Sequence, residues 1–410
     1  MPITKTVKSS PLSRAIGQGL ACALCGCAAL VAFHSIQTWR SAEWMNSLNP
    51  DSLKRAVAIE PRNVVARYRL AESLRLVLQD DDAAAEQFDT TLRQDPYACA
   101  ALLSFSETQR ARLEVAHAAE LRQRAADCDP SNPRFQVTVA NAYFVAGENA
   151  RGLAVVQRAI RANPDWRTAG FETAWRASLP IDDYLALAQS DAATFTAAFG
   201  ILLDHDDFKH LLAAEQRAEQ LGIRLDDKLL LPAVDDLVGA GLYADARKLW
   251  SAYALRHPEM RTTEDDPLAD PTFSVRPLNR GFGWSLRTIP GVSAVVSSGP
   301  GLELHLDHVK SARLGLEQIV LLQPGLEYEM SAEYSSEIVS ISDLQLAIHD
   351  LRSQREVAVL ALHAGATQNS TTFRMPAGGD GAVVVSLVTA PGAVADGTVR
   401  LSSVRLRKTR

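Results

Sequence analysis

Four groups of side chains have the types and spacing for chemistry. Cys22, Cys25 and Cys27 stand at distances at which thiolates can hold a metal. They fall in an uncharged apolar run, where cysteine serves as a small apolar residue, and their nearest partner, His34, lies at its far end. His205, Asp206, Asp207 and His210 form the densest metal-like cluster. On a helix, however, ligands need i,i+3 or i,i+4 spacing, and the two histidines are five apart and diverge. Glu317, Glu327, Glu329 and Glu333 offer carboxylate pairs. Such pairs cleave glycosides when held ~5–10 Å apart, but glutamates alternating along strands are ordinarily a solvated face. Gly239-Ala240-Gly241 resembles part of a dinucleotide fingerprint without the preceding strand it needs. Nucleophile-elbow, zinc-protease and phosphate-loop motifs are missing from the sequence. The expectation is therefore a chain with no catalytic residue, no metal and no cofactor.

The composition agrees. Of 410 residues, 47% are hydrophobic, 22% charged and 6% aromatic, which fits two or three globular domains. Five cysteines are too few for a disulfide scaffold. A net charge of −6 speaks against a nucleic-acid binder. The charge is uneven. Lys5, Lys8, Arg14 and Arg40 give residues 1–40 a balance of +4, leaving the rest at −10.

Between Arg14 and Arg40 lie 25 residues, Ala15 to Trp39, without Asp, Glu, Lys or Arg. A helix of that length reaches ~37 Å, enough to cross a ~30 Å hydrocarbon core. Trp39 and Trp44 occupy interfacial positions. The expectation is a transmembrane helix over 15–39, with 1–14 as a cytoplasmic stub and the rest extracytoplasmic by the positive-inside rule. A cleaved signal peptide and a lipoprotein signal around Leu24-Cys25-Gly26-Cys27 are the competing readings.

Residues 50–258 carry amphipathic helical runs closed by Glu60-Pro61, Asp95-Pro96, Asp129-Pro130 and Asn163-Pro164, the prolines 35, 34 and 34 apart. Ala84, Ala118 and Gly152 recur 34 apart, as do Thr91, Ala125 and Ala159. Small residues let helices approach closely, and proline stops the second helix of each pair. One pair cannot bury its apolar face alone, so the pairs must stack. The pattern resembles the tetratricopeptide repeat, most clearly over 133–164 with Ala140, Tyr143, Gly147, Ala159 and Pro164. That resemblance implies a surface for a protein partner. Arg122 stands where an apolar residue is expected. Pro164 and Pro258 are 94 apart, so residues 165–225 are shifted or degenerate pairs. Arg67, Arg69, Arg75, Arg110 and Arg112 are helix-face candidates for partner contact. Cys99 opens one helix of its unit and Cys128 ends the other, which makes the two ends neighbours in an antiparallel hairpin. A Cys99–Cys128 disulfide is the candidate pairing, permitted outside the cytoplasm.

Residues 259–271, acidic and without periodicity, read as a linker. From 272 to 410 the period becomes two, with runs at 302–308, 314–322, 326–334, 343–350, 356–363, 382–389 and 399–406 separated by Gly and Pro turns. Strands at this spacing make a sandwich. Phe273, Gly283 and Trp284, followed by Gln318, Leu322, Pro324, Gly325 and Tyr328, resemble the galactose-binding-like jelly roll of carbohydrate-binding modules. The resemblance implies polysaccharide binding, with Trp284, Tyr328 and Tyr334 as candidate glycan contacts. Family members often hold a structural calcium with acids where this chain has Ser274, Ser402 and Ser403.

The fold expected is thus multidomain α + β: a transmembrane helix, an all-α superhelix resembling tetratricopeptide repeats, and an all-β jelly-roll sandwich. The function expected is a non-catalytic, single-pass, membrane-anchored scaffold. Its repeats bind a protein, its sandwich a polysaccharide, and it does not bind nucleic acid. The architecture is similar to accessory proteins of bacterial exopolysaccharide synthesis or export, located in the inner membrane with the bulk of the chain in the periplasm. The alternative is a glycan-processing enzyme or subunit with its site in the sandwich cleft.

Overall fold

Glycine or another residue in left-handed backbone ends the first helix of each pair, and these turns set the architecture. A computed structural model describes residues 11–45, 49–188, 191–263, 265–296, 300–310, 312–337, 344–363 and 367–409, with the backbone alone over 11–23. Two compact units divide after Leu187.

The first unit opens with α1 (Pro11–Met45) and continues through α2 (Pro50–Ile59), α3 (Val64–Leu76), α4 (Asp81–Gln94), α5 (Cys99–Ala111), α6 (Val115–Cys128), α7 (Pro133–Val145), α8 (Asn149–Ala162), α9 (Arg167–Arg176) and α10 (Ile181–Ala186). Asn63 and Asn132 cap α3 and α7, their side chains accepting from the amides of Ala66 and Phe135. Each satisfies one of the donors a helix start leaves open. Both columns of small residues are buried where second helices pack. At Gly152 a Cβ would come 2.5 Å from the Phe144 ring, so that column tolerates nothing larger there. Arg122 is also buried, at 3% exposure. Its guanidinium pairs with Glu148 and lies 5.9 Å from the centre of the Tyr143 ring, so a charge network fills a site usually apolar.

The expected transmembrane helix falls within α1, whose backbone runs unbroken through 15–39. Side chains before Leu24 lie outside the described residues, as does the stub up to residue 10. Past Phe33 the helix carries His34, Ser35, Gln37, Thr38, Arg40 and Glu43. Among the described residues no helix is long and apolar enough to cross a membrane. The end of α1 joins the repeats through Ser41, which donates to Glu60 at 3.4 Å.

The 94-residue gap resolves into turns. Left-handed residues Gln79, Leu113, Gly147, Ser178, Asp206 and Gly241 each follow a first helix, at spacings of 34, 34, 31, 28 and 35. The pair α9–α10 is short because α10 has six residues, and the register slips there. Residues 165–225 therefore hold one truncated pair and one full one.

Among its described residues the second unit holds α11 (Ala192–Asp204), α12 (Phe208–Gln220), α13 (Asp227–Gly239) and α14 (Tyr243–Ala254), then ten strands. These are β1 (Ser285–Leu286), β2 (Val292–Val296), β3 (Leu302–Val309), β4 (Arg313–Leu321), β5 (Glu327–Ser336), β6 (Leu344–Asp350), β7 (Glu356–Ala361), β8 (Gln368–Arg374), β9 (Ala382–Thr389) and β10 (Ala395–Lys408). They form two five-stranded antiparallel sheets, β1-β4-β9-β6-β7 and β2-β3-β10-β5-β8, around one apolar core.

The expected division is repeats over 50–258, a linker over 259–271 and a sandwich over 272–410, whereas one compact unit holds the last four helices together with the strands. The last four helices belong with the sandwich. Asp235 of α13 accepts from the Gly281 amide at 2.7 Å and pairs with Arg280 at 3.1 Å, while Trp250 of α14 meets Phe282 at 6.0 Å between centroids. A Cβ at Gly281 would stand 2.9 Å from Trp250 and Val234, so glycine is required for this close approach. The stretch 259–271 is no free linker either. Leu268 enters the sandwich core, and the main chain at Asp265 and Pro271 accepts from Lys408 and Val404 of β10. Its acids are used internally: the Asp270 carboxylate accepts from the Ser274 amide and hydroxyl at 2.7 Å and from the Val275 amide at 3.0 Å.

Candidate functional site

The turns between first and second helices supply the site. In the first unit, Glu114 donates its amide to Gln109 across Leu113, and Glu148 donates to Tyr143 across Gly147, at 2.8 and 2.9 Å. This closure needs a left-handed residue, normally glycine. At Leu113 (φ 66°) it is a leucine, 83% exposed. Around it, the equivalent turns expose Leu76, Val77 and Leu78 in one repeat, Val115 beside Leu113 in the next, and Val145 in the third. Stacked pairs place equivalent turns at one end of the stack, so these side chains form an apolar ridge there. Asp80, Asp81 and Glu114 neighbour these turns in sequence, and Arg112 is bonded to Asp82 at 2.8 Å. A helix-pair scaffold with uncovered leucines and valines can hold an apolar partner surface. The sequence signal for this ridge was the glycine column itself, occupied at 79 and 113 by Gln and Leu.

The arginines chosen from sequence are mostly engaged within the chain. Arg67 bonds Gln87 and the Pro61 carbonyl, Arg69 the Met45 carbonyl, and Arg75 pairs with Glu72 and Glu107. Arg110 is exposed. Cys99 and Cys128 are bonded to each other, their Cα atoms 5.6 Å apart. The bond joins the start of α5 to the end of α6. Cys25 and Cys27 are free and exposed, and the Cys22 side chain lies outside the described residues. In the histidine cluster, His210 bonds Asp207 at 2.7 Å, and Asp206 forms the left-handed turn before α12. It is a helix-start turn.

The candidate glycan contacts lie within the sandwich core. Trp284, Tyr328 and Tyr334 are 2%, 2% and 3% exposed. Trp284 packs against Phe273, their ring centres 5.0 Å apart, and donates its indole N–H to the Asp270 carbonyl at 3.1 Å. Tyr328 lies 6.0 Å from Phe373 and its hydroxyl accepts from the Gln323 amide at 2.9 Å. The Tyr334 hydroxyl bonds both backbone groups of His363. The two tyrosine rings fill the core because even-numbered positions of β5 up to Tyr334 point inward. Phe273, Phe282 and Phe373 are buried as well, so every aromatic ring from 272 onward is inside. Along β5 the outward positions are Glu327, Glu329 and Glu333, while Glu317 of β4 pairs with Arg287 at 2.5 Å.

The calcium that the jelly-roll resemblance brings with it does not fit these residues. Gln318, 1% exposed, points its amide nitrogen at the carbonyls of Ala269 and Phe282, both at 2.9 Å, and the Asp270 carboxylate is saturated by amide and hydroxyl donors. A donor group occupies the position where a cation would need acceptors. On the sandwich surface, Asp307, His308 and Asp396 bring ligand-type atoms within 4.8 Å of one another, as an exposed ion-paired turn in which His308 lies 3.2 Å from Asp307 and 3.3 Å from Asp396.

No family model matches the chain. A curated relative, the general transcriptional corepressor ssn6 of Schizosaccharomyces pombe, is 25% identical over 111 residues, 27% of this chain. The match spans about a tenth of the length of that protein. Solved structures similar to this chain are tetratricopeptide repeat proteins and carbohydrate-binding modules. MamA is 15% identical with TM-score 0.28, covering 42% of this chain and 89% of its own. YrrB, described as a tetratricopeptide repeat protein with an unusual peptide-binding site, is 14% identical with TM-score 0.26, covering 42% and 93%. A carbohydrate-binding module of family 4 is 14% identical with TM-score 0.25, covering 31% and 88%. The chain itself has a helical repeat region and a C-terminal all-β sandwich, seen in its turn spacing and sheet order.

Proposed function

We propose that this chain is a non-catalytic scaffold, tethered to a membrane by α1, whose repeat turns hold a protein partner outside the cytoplasm. The observation that carries the reading is the exposed Leu113 in a left-handed turn where the fold favours glycine. A residue type that is costly for the turn and uncovered by the chain is explained by an external contact. The disulfide supports an oxidising compartment. The charge-free run 15–39 and the exposed Leu24, Leu30, Val31 and Phe33 support the tether. Inner-membrane attachment with the bulk of the chain in the periplasm, and a part in assembling or exporting envelope polysaccharide, belong to the same proposal. In it the sandwich meets glycan, where it meets it, through outward polar side chains such as Glu329 and Arg407, since the aromatic rings are enclosed.

The test is Leu78→Asp with Leu113→Asp in the full chain, followed by chemical cross-linking in native membranes. Loss of the cross-linked partner with unchanged thermal unfolding supports the scaffold. Retention of the partner by a folded variant, or recovery of the unaltered chain in the soluble fraction, contradicts it.

A further inference from the structure

The edge strands of the sandwich are finished in different ways. An edge strand offers a row of unpaired main-chain N–H and C=O groups, and proteins normally blunt it with short length, charge, proline or a covering element. β1 has two residues, β8 is polar and ends in Arg374, and β7 begins with Glu356 and lies against β8. β2 has none of these devices. Its sequence, Val292-Ser293-Ala294-Val295-Val296, holds no charge and no proline, and it lies in an uncharged stretch that runs from Thr288 to Leu302.

One side of β2 is taken and the other is open. β3 pairs with it antiparallel, Val292 opposite Leu306 and Ala294 opposite Leu304. The Asp307 amide donates to the Gly291 carbonyl at 2.8 Å, which fixes the alternation. Main-chain groups of residues 291, 293 and 295 face β3, and those of Val292, Ala294 and Val296 face away. The Val292 N–H turns back to the Ile289 carbonyl at 3.0 Å. Among the described residues no strand pairs with this outer side. The side chains of Val292 and Ala294 pack against the sandwich core, while Ser293 and Val295 are exposed on the outer face, Val295 at 49%.

We propose that β2 pairs antiparallel with β2 of a second copy of this chain, about a two-fold axis through Ala294, joining two five-stranded sheets into one. In that register the Ala294 N–H and C=O of each copy meet those of the other, and the Val296 N–H meets the Val292 carbonyl. Ser293 of one copy faces Val295 of the second, in a pair whose Cα atoms stand about 4.5 Å apart. Two features select a second copy over a foreign strand. The outward main-chain groups are symmetric about Ala294, so self-pairing uses the whole of β2 in both copies. The strand carries no charge, so self-pairing sets no like charges opposite each other and covers the exposed Val295 of both copies, whereas a charged foreign strand finds no complementary charge on it. Pairing about a two-fold axis closes at two copies, because each chain brings the same edge to the contact. The inference is independent of the ridge at the repeat turns and of the tether.

The test is disulfide trapping with the full chain in detergent micelles, on a background of Cys22→Ala, Cys25→Ala and Cys27→Ala that keeps the Cys99–Cys128 bond. A chain with Ser293→Cys is mixed with a chain of different tag length carrying Val295→Cys, and the mixture is oxidised with copper phenanthroline. The mixed dimer is expected to form several-fold faster than either like dimer, because only the mixed pair stands directly opposite at disulfide distance. Ala294→Pro in both chains removes an N–H that β3 does not use, and is expected to abolish trapping with circular dichroism unchanged. In the chain without added cysteines, Val295→Lys charges the edge and is expected to lower the dimer fraction in sedimentation equilibrium. Equal rates for mixed and like dimers, no trapped dimer, trapping that survives Ala294→Pro, or a dimer fraction unmoved by Val295→Lys overturns the pairing. If Ser293→Cys in native membranes traps an unrelated protein in place of a second copy, the choice of occupant is overturned.

Discussion

Leu113 and Gly147 occupy the same turn one repeat apart, both in left-handed backbone (φ 66° and 76°), and only one of them is glycine. The leucine has no neighbour to repay its conformation, since its side chain is 83% exposed. A left-handed non-glycine residue costs about 1–2 kcal/mol, offset in part by the greater chain entropy glycine loses on folding.

Leu113→Gly is therefore expected to stabilise the chain slightly, by up to about 1 kcal/mol, while weakening partner contact. Urea unfolding of the variant checks the first part. A clear loss of stability would mean that the leucine side chain packs against the fold.

The Arg122–Glu148 pair answers differently to removal of each partner. Glu148→Ala leaves a buried guanidinium without its carboxylate and is expected to cost about 3 kcal/mol. Arg122→Leu restores the apolar residue the repeat normally has there, and Glu148 keeps Arg151 at 2.8 Å. That variant is expected to lie within about 1 kcal/mol of the parent. Thermal unfolding of both decides. Equal losses would contradict the reading of Arg122 as a buried charge that needs its partner.

The Cys99–Cys128 bond closes a loop with a sequence separation of 29. Chain entropy alone gives such a loop roughly 3–4 kcal/mol. Reduction is expected to lower the unfolding midpoint of the repeats, and non-reducing peptide mapping to recover the two cysteines as one linked species. Alkylation of both in the denatured, unreduced chain would refute the pairing.

Trp284 separates a core residue from a sugar platform. As a buried ring hydrogen-bonded to the Asp270 carbonyl, it should cost about 3–5 kcal/mol when changed to Ala. A sugar-stacking ring on the surface would leave stability almost unchanged. Calorimetry of the full chain distinguishes the two.

Much of this was legible in the residues. The proline and small-residue columns mark α3 to α8 because local sequence stops helices and sets their approach. Seven of the strands were visible as period-two runs for the same reason. β1, β2 and β8 were missed: Ser285–Leu286 is too short to show a period, Val292–Val296 follows a glycine turn, and Gln368–Arg374 is polar at nearly every position. The slip at α9–α10 was hidden because its left-handed residues are Ser178 and Asp206 instead of glycine. The burial of the two tyrosines was itself legible in the pattern: Tyr328 and Tyr334 share parity with Met330 and Ala332, and the glutamates hold the other face. The segment 259–271 looked like a linker because composition cannot show that Asp270 spends its oxygens on Ser274 and Val275.

The most direct measurement is photo-cross-linking in living cells from a benzoylphenylalanine placed at Leu113, with the exposed Glu86 on α4 as control. Discrete adducts at 113 and none at 86 are the expected result. No adduct at 113, or the same adducts from both positions, would contradict a partner held at the repeat turns.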